Sequence, residues 1–298
     1  MHENLTTEAV NPASDDLDRL STLDLVRLIN AEDATIAAVV GAQSETIAAA
    51  VDLVAARLAG GGRLIYAGAG TSGRLGVLDA SECPPTFNAD PDQVIGVIAG
   101  GDRALRYAIE GAEDSREAAV ADLRDIALSA KDVLVGITAS GTAPYVLAAL
   151  DEARAAGAAA IALTCNDGSP AEDHADLTIA VVVGPEVLSG STRMKAGTAT
   201  KLVLNTLTTG AMVRLGKTYG NLMVDLQASN RKLARRSLGI LQRLSSLDEA
   251  AAEKLLANCG GELKTAILVA RLGIDAEDAR QRLAAADGRL RLALGDDG

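Results

Sequence analysis

The stretch Leu64-Ile-Tyr-Ala-Gly-Ala-Gly-Thr-Ser-Gly-Arg-Leu-Gly-Val-Leu-Asp-Ala-Ser-Glu-Cys-Pro-Pro-Thr-Phe87 decides the fold class. An apolar strand, read over Arg63–Ala67, runs into Gly68-Ala-Gly-Thr-Ser-Gly73. A helical pattern starts at once after it, near residues 73–82. Glycines allow close backbone approach and positive φ angles. A helix N-terminus offers unpaired N–H groups and a partial positive charge. Together they make an anion site, to which Thr71 and Ser72 add hydroxyls. The same stretch carries an acid, Glu82, just before Cys83-Pro84-Pro85. Prolines push a chain out of helix, so Glu82 is expected at a helix end.

Outward from this stretch, further apolar runs alternate with helical ones. Strands are expected at Gln93–Ala99, Asp132–Thr138, Ala158–Thr164 and Leu177–Val183, with helices near 103–127, 143–156 and 196–216. Each strand is short and almost continuously apolar, the pattern of a parallel sheet buried on both faces. The alternation argues for an α/β sandwich with ligands at the carboxyl ends of its strands. Residues 1–20 read as loop. Ser21-Thr-Leu-Asp24 opens helices that continue through Ile29 and from Glu32 to Leu58. Beyond residue 240, three helices are expected at 246–257, 260–272 and 275–294. The expected organisation is a helical segment over 1–58 packed on the core, a ligand-binding catalytic domain over 59–240, and a C-terminal three-helix bundle over 241–298.

Composition narrows the function. Of 298 residues, 48% are hydrophobic and 2% aromatic, so Ala, Leu, Ile and Val must fill the core. A net charge of −12, with no basic arm, argues against nucleic acid as a partner. No uncharged apolar run approaches the roughly 20 residues that span a bilayer, so no membrane partner is expected. The polar, acidic opening does not read as a signal peptide. Cys83, Cys165 and Cys259 have neither paired nor metal-ligand spacing, and only His2 and His174 are present. These features point to a reducing cytoplasm and to no metal.

Two more hydroxyl-rich loops precede helices: Ser140-Gly141-Thr142 after the third strand, and Gly190-Ser191-Thr192 before the long helix at 196–216. Both could converge on the ligand of the Gly70–Gly73 loop. Arg193 and Lys195 would bring positive charge to the mouth of that site, because cations at a helix N-terminus are unfavourable without an anionic partner. Gly68-Ala-Gly-Thr-Ser-Gly73 is a formal G-x-G-x-x-G, yet the acid expected about 20 residues on is missing, as is the lysine of a phosphate-binding P-loop. Glu113, in Glu110-Gly-Ala-Glu-Asp-Ser115, sits at a break in a helical stretch. If it meets Glu82, the two could divide acid and base work. Asn205, Tyr219, Asn221 and Asp225 could reach a ligand or a partner subunit.

These residues, in this order, resemble the N-acetylmuramic acid 6-phosphate etherase family. The resemblance rests on Asp18-Arg-Leu-Ser-Thr-Leu23, the Gly68–Phe87 block, Ile98-Ala-Gly-Gly-Asp102, Glu110–Ser115, Ser191-Thr-Arg-Met-Lys-Ala-Gly-Thr198 and Tyr219-Gly-Asn-Leu-Met-Val-Asp225. It covers nearly the whole chain. It departs mildly at Asn88-Ala89, where Gly-Val is usual. The resemblance implies a sugar isomerase (SIS) domain, a flavodoxin-like α/β sandwich, in a cytoplasmic homodimer without metal or organic cofactor. It implies cleavage of N-acetylmuramate 6-phosphate to N-acetylglucosamine 6-phosphate and D-lactate in peptidoglycan amino-sugar recycling. It maps the two active-site acids onto Glu82 and Glu113. The substrate-binding set would be Gly70, Thr71, Ser72, Gly73, Ser140, Gly141, Thr142, Ser191, Thr192 and Lys195. A non-catalytic phosphosugar sensor, like the vertebrate glucokinase regulatory protein, and an aldose–ketose phosphosugar isomerase stay open as alternatives.

Overall fold

The computed structural model describes residues 5–226 and 231–296. His2 and the first residues of the polar opening lie outside the described residues. The chain falls into two compact units, one of residues 1–81 with 92–208, the other of residues 82–91 with 209–298.

The first unit is built on a parallel sheet. Its strands are β1 (Leu64–Gly68), β2 (Val94–Ile98), β3 (Val133–Thr138), β4 (Ala159–Thr164) and β5 (Leu177–Ala180), in the order β2-β1-β3-β4-β5. All neighbours pair in parallel, with Tyr66 opposite both Gly96 and Val135, and Leu163 opposite Ile137 and Ile179. This is the flavodoxin-like order of a doubly wound sheet. Every residue of β1, β3 and β4 is buried, which is why these runs carry no polar alternation. Each of the five strands lies where the apolar runs placed it.

The N-terminal helices are α1 (Thr22–Asp33), α2 (Ile36–Ala42) and α3 (Ser44–Ala59), the first capped by the Ser21 hydroxyl, which accepts from the Asp24 N–H. The sheet helices follow: α4 (Gly70–Phe87), α5 (Arg116–Asp125), α6 (Pro144–Ala155) and α7 (Lys195–Arg214). Ala148, Ala149, Ala153, Ala160 and Ala162 pack with Leu134, Val146 and Leu150 into a core with little aromatic content. The large buried ring of Tyr66 keeps its hydroxyl satisfied by donating to Asp79 at 2.9 Å; Asn205 donates to the same carboxylate at 2.6 Å. Asn205 thus serves a buried network inside the first unit.

Two expectations change in α4 and the stretch before α5. α4 continues through Pro84 and Pro85 to Phe87 instead of ending at Glu82. Proline's fixed φ is helical, and its cost is the missing N–H. The helix gains one more bond, from the Asn88 N–H to the Pro84 carbonyl at 2.9 Å, and ends as Asn88 turns to φ +50°. The helix expected over 103–127 is broken. A 3-10 turn at Asp102–Leu105 and another at Ala112–Asp114 precede α5, and Gly101 and Gly111 at positive φ set the turns.

Asp132 ties the start of the sheet together. Its buried carboxylate accepts from the Arg63 N–H (2.9 Å) and Arg63 Nη2 (2.7 Å), and from the Ser129 N–H (2.9 Å). Burial alone would raise its pKa. The Arg63 guanidinium and the two amides outweigh burial and hold it below the ordinary value of 3.8. A depressed carboxylate stabilises the fold above its unfolded pKa, and that contribution fades as pH falls through the folded value. Asp132→Asn should therefore lower unfolding stability by about 2–3 kcal/mol at pH 7. The gap to the parent protein should narrow below about pH 4. Urea midpoints at both pH values measure this.

The second unit contains a short hairpin, β6 (Thr218–Tyr219) with β7 (Leu222–Met223), and α8 (Arg231–Ser245), α9 (Glu249–Asn258), α10 (Leu263–Leu272), α11 (Ala276–Ala285) and α12 (Leu290–Leu294). The helix expected over 275–294 is divided at Asp287-Gly288, both at positive φ. Leu241, Leu263, Ile267 and Leu290 form its core. Tyr219 donates to Asp296 at 2.5 Å, and Asp225 accepts from Lys264 at 2.7 Å and pairs with Lys217 at 3.1 Å. These polar residues of the 219–225 block are engaged within their own unit.

Candidate active site

A cavity of about 370 Å³ opens in the first unit at the carboxyl ends of β1 and β3. Five pieces of chain wall it.

The first is the turn from β1 into α4. Gly70 adopts φ +54°, and Ala69, Gly70, Thr71 and Ser72 line the cavity. Gly73 does not. It is buried against β1: a Cβ there would lie 2.5 Å from the Gly68 carbonyl oxygen and 2.6 Å from Ile98 Cγ1. The last glycine of the loop lets α4 press on the strand, and the hydroxyls before it face the ligand space.

The second is the loop after β3. Thr138, Ala139, Ser140 and Ala143 line the cavity. Thr138 Oγ1 accepts from the Gly141 N–H at 3.2 Å, and the Ser140 and Thr142 hydroxyls lie 2.9 Å apart. Gly141, at φ +76°, packs where a Cβ would come within 2.3 Å of Ser169. Gly141 and Thr142 thus shape the loop, while Ser140 faces the space.

The third is the approach to α7. Gly190, Thr192, Ala196, Gly197 and Thr200 contribute to the wall; Ser191 and Lys195 do not. The anionic partner expected for Lys195 is part of the chain itself. Lys195 Nζ donates to Glu32 at 2.6 Å and is almost wholly buried. The fully buried Glu186 carboxylate accepts from the Lys195 and Ala196 N–H groups, both at 2.9 Å. A buried ammonium needs a paired charge, and a helix N-terminus favours an anion; these two acids meet both needs. The nearby Cys165 thiol is pushed up to about 12 by burial first and the Glu186 charge second, so it is no nucleophile.

The fourth is Glu113, at the cavity wall on the 3-10 turn Ala112–Asp114. Glu82 belongs to the second unit, where its side chain is exposed on α4.

One lining residue, Glu8, escaped the sequence reading. It sits in a turn held by Asn166, whose Oδ1 accepts from the Thr6 N–H (2.7 Å) and hydroxyl (2.8 Å) and whose Nδ2 donates to Thr7 Oγ1 (3.0 Å). Farther on, Asn11 donates to Glu32 at 3.0 Å. The segment has no hydrophobic period, and its anchors lie some 160 positions away, so no local signal could place it.

The wall therefore offers the hydroxyls of Thr71, Ser72, Thr138, Ser140, Thr192 and Thr200, the first amides of α4, and the carboxylates of Glu8 and Glu113. No Lys or Arg side chain is among the described lining residues. Neutral donors at a helix start suit a phosphate, and a carboxylate beside them suits proton transfer. Among the described residues no cluster of His, Cys, Asp and Glu could hold a metal ion.

Comparison with known proteins identifies the family. Family models match the glucokinase regulatory protein N-terminal SIS domain over residues 45–154, the SIS domain over 117–210, and the C-terminal lid domain of glucokinase regulatory protein over 220–259. The N-acetylmuramic acid 6-phosphate etherase of Rhodopirellula baltica is 57% identical over 290 residues, covering 97% of this chain and 96% of its own. The enzyme of the same name from Streptomyces avermitilis is 55% identical, covering 98% and 94%. N-acetylmuramic acid 6-phosphate etherase 1 of Vibrio cholerae is 53% identical, covering 98% of each. Among solved structures, a candidate phosphosugar isomerase involved in capsule formation from Bacteroides fragilis matches with a TM-score of 0.52 at 18% identity, covering 72% of this chain and 97% of that one. That likeness concerns the fold.

Proposed function

The chain belongs to the N-acetylmuramic acid 6-phosphate etherase family, and from that membership we propose that it cleaves the C3 D-lactyl ether of N-acetylmuramate 6-phosphate, giving N-acetylglucosamine 6-phosphate and D-lactate. The observation that carries this reading is 57% identity across 97% of the chain.

The chemistry follows from the substrate. An alkoxide is a poor leaving group for direct displacement. The opened sugar, however, has a C1 aldehyde that makes the C2 proton acidic. A carboxylate takes that proton. The C–H electrons form the C2=C3 double bond, the C3–O bond breaks, and lactate leaves with a proton on its hydroxyl. Water then adds at C3 of the unsaturated aldehyde, and a proton returns to C2. Each of the two steps takes one proton and gives one, which paired carboxylates can do without a cofactor. Glu82 is assigned as the acid/base for C2. Glu113 is assigned to water activation or to the leaving oxygen, a role supported by its place on the cavity wall.

Thr71, Ser72, Ser140 and Thr192 are assigned to the 6-phosphate, together with the α4 amides. Gly70 opens the loop for them. Gly73, Gly141, Thr142, Ser191 and Lys195 act behind this layer by packing, by hydrogen bonding or by capping α7. Holding a remote phosphate positions C2 and C3 for reaction. Residues 59–240 are assigned as the phosphosugar-binding domain, 1–58 as a helical segment packed on it and 241–298 as a helical bundle.

The protein is proposed to act in the cytoplasm as a homodimer. The buried thiols of Cys165 and Cys259 support the first. The exposed Leu23 and Val26 on α1, a helix with no buried residue, support the second. D-lactate release from N-acetylmuramate 6-phosphate tests the activity. Isomerisation of a hexosamine phosphate without lactate release would assign the chain to isomerase chemistry instead.

A further inference from the structure

We propose that Glu8 is a substrate-recognition residue of the cavity, accepting hydrogen bonds from the uncharged hydroxyl and amide donors of the sugar. The inference rests on the phosphosugar reading above.

Glu8 brings a third acid to the chemistry, and nothing in the proton transfers requires it. Its carboxylate lines the cavity and lies 3.5 Å from where a Cβ on Gly190 would stand. Among the described residues no donor or cation engages that carboxylate, whereas the buried acid Glu186 and the half-buried Glu32 are each bonded. The chain spends buried polar groups on holding it there. Asn166 is 2% exposed and Asn11 5%, and both fasten the segment on either side of Glu8. Glu8 itself is exposed, so the two buried asparagines fix the backbone on either side and leave the carboxylate open at the rim of the cavity.

Charge decides what such a group can meet. A carboxylate accepts hydrogen bonds and donates none. It repels phosphate at short range, so it weakens the anion grip of the same cavity. It is therefore assigned to the neutral polar part of the ligand: the ring or chain hydroxyls, or the acetamido N–H. The hydroxyl-rich loops take the charged end.

This division makes two probes respond differently. Binding of N-acetylglucosamine 6-phosphate and of inorganic phosphate is measured by calorimetry for the parent protein, Glu8→Ala and Glu8→Gln. Losing a hydrogen-bond acceptor that carries charge should raise the sugar phosphate Kd about tenfold in Glu8→Ala. Glu8→Gln, which keeps a neutral acceptor, should show a smaller rise. Inorganic phosphate should bind both variants as tightly as the parent or more tightly. A ratio of the two Kd values that stays constant overturns the proposal. That holds whether both affinities persist, so that Glu8 touches neither ligand, or both fall together, so that the segment serves only to shape the cavity. The readout is binding, so it is independent of ether cleavage: a parent protein that binds the sugar phosphate but releases no D-lactate would overturn the etherase reading and leave this test intact.

Discussion

Glu82→Gln should release no D-lactate above background while still binding N-acetylglucosamine 6-phosphate. The amide keeps the size of the side chain but neither takes the C2 proton nor returns one. A positioned acid or base contributes about 10²–10⁴-fold, and a group used in both elimination and hydration is needed twice. The loss should fall on kcat and not on KM, because the phosphate grip is built from other residues. Lactate release measured enzymatically, beside calorimetric binding of the product, separates the two parameters. A variant with parental kcat would remove Glu82 from the chemistry.

Gly73→Ala should have the largest effect on stability. A Cβ at this position would approach the Gly68 carbonyl oxygen to 2.5 Å and Ile98 Cγ1 to 2.6 Å. The carbonyl belongs to β1, which is hydrogen-bonded on both sides between β2 and β3, so it cannot yield as a flexible side chain can. Overpacking of this kind costs about 1–3 kcal/mol and sometimes more. Because Gly73 follows Thr71 and Ser72 directly, lifting α4 off the strand also moves their hydroxyls. We expect a cost of about 3 kcal/mol in chemical denaturation and weakened phosphate binding. Gly70→Ala, with nothing within 4 Å of its added Cβ, meets no such contact and pays only for its φ of +54°.

These two residues show what the sequence could and could not disclose. The five strands were legible because β1, β3 and β4 are buried throughout, the edge strands β2 and β5 are half-buried, and each reads as a short, mostly apolar run. The three hydroxyl loops were legible because each follows or precedes a regular element and carries Gly with Ser or Thr. A glycine in such a loop, however, can serve a ligand or a packing contact with the same letter. Gly73 and Gly141 are packing positions, and only coordinates distinguish them from Gly70. Lys195 misled for a related reason. Its charge needed an anion, but that anion is Glu32, 163 positions away in sequence. Glu8 was invisible because its place depends on Asn166, on the far side of the sheet order in sequence. The two prolines argued for a helix end, yet the helix runs past both. Periodicity exposes local structure; it does not expose which distant polar groups pair.

The most direct test is to incubate the pure protein with N-acetylmuramate 6-phosphate in heavy water. D-lactate should appear, and the N-acetylglucosamine 6-phosphate formed with it should carry deuterium at C2, because the C2 proton leaves to solvent and one returns. D-lactate with unlabelled product would contradict elimination through C2 with solvent exchange, and no D-lactate would contradict ether cleavage altogether.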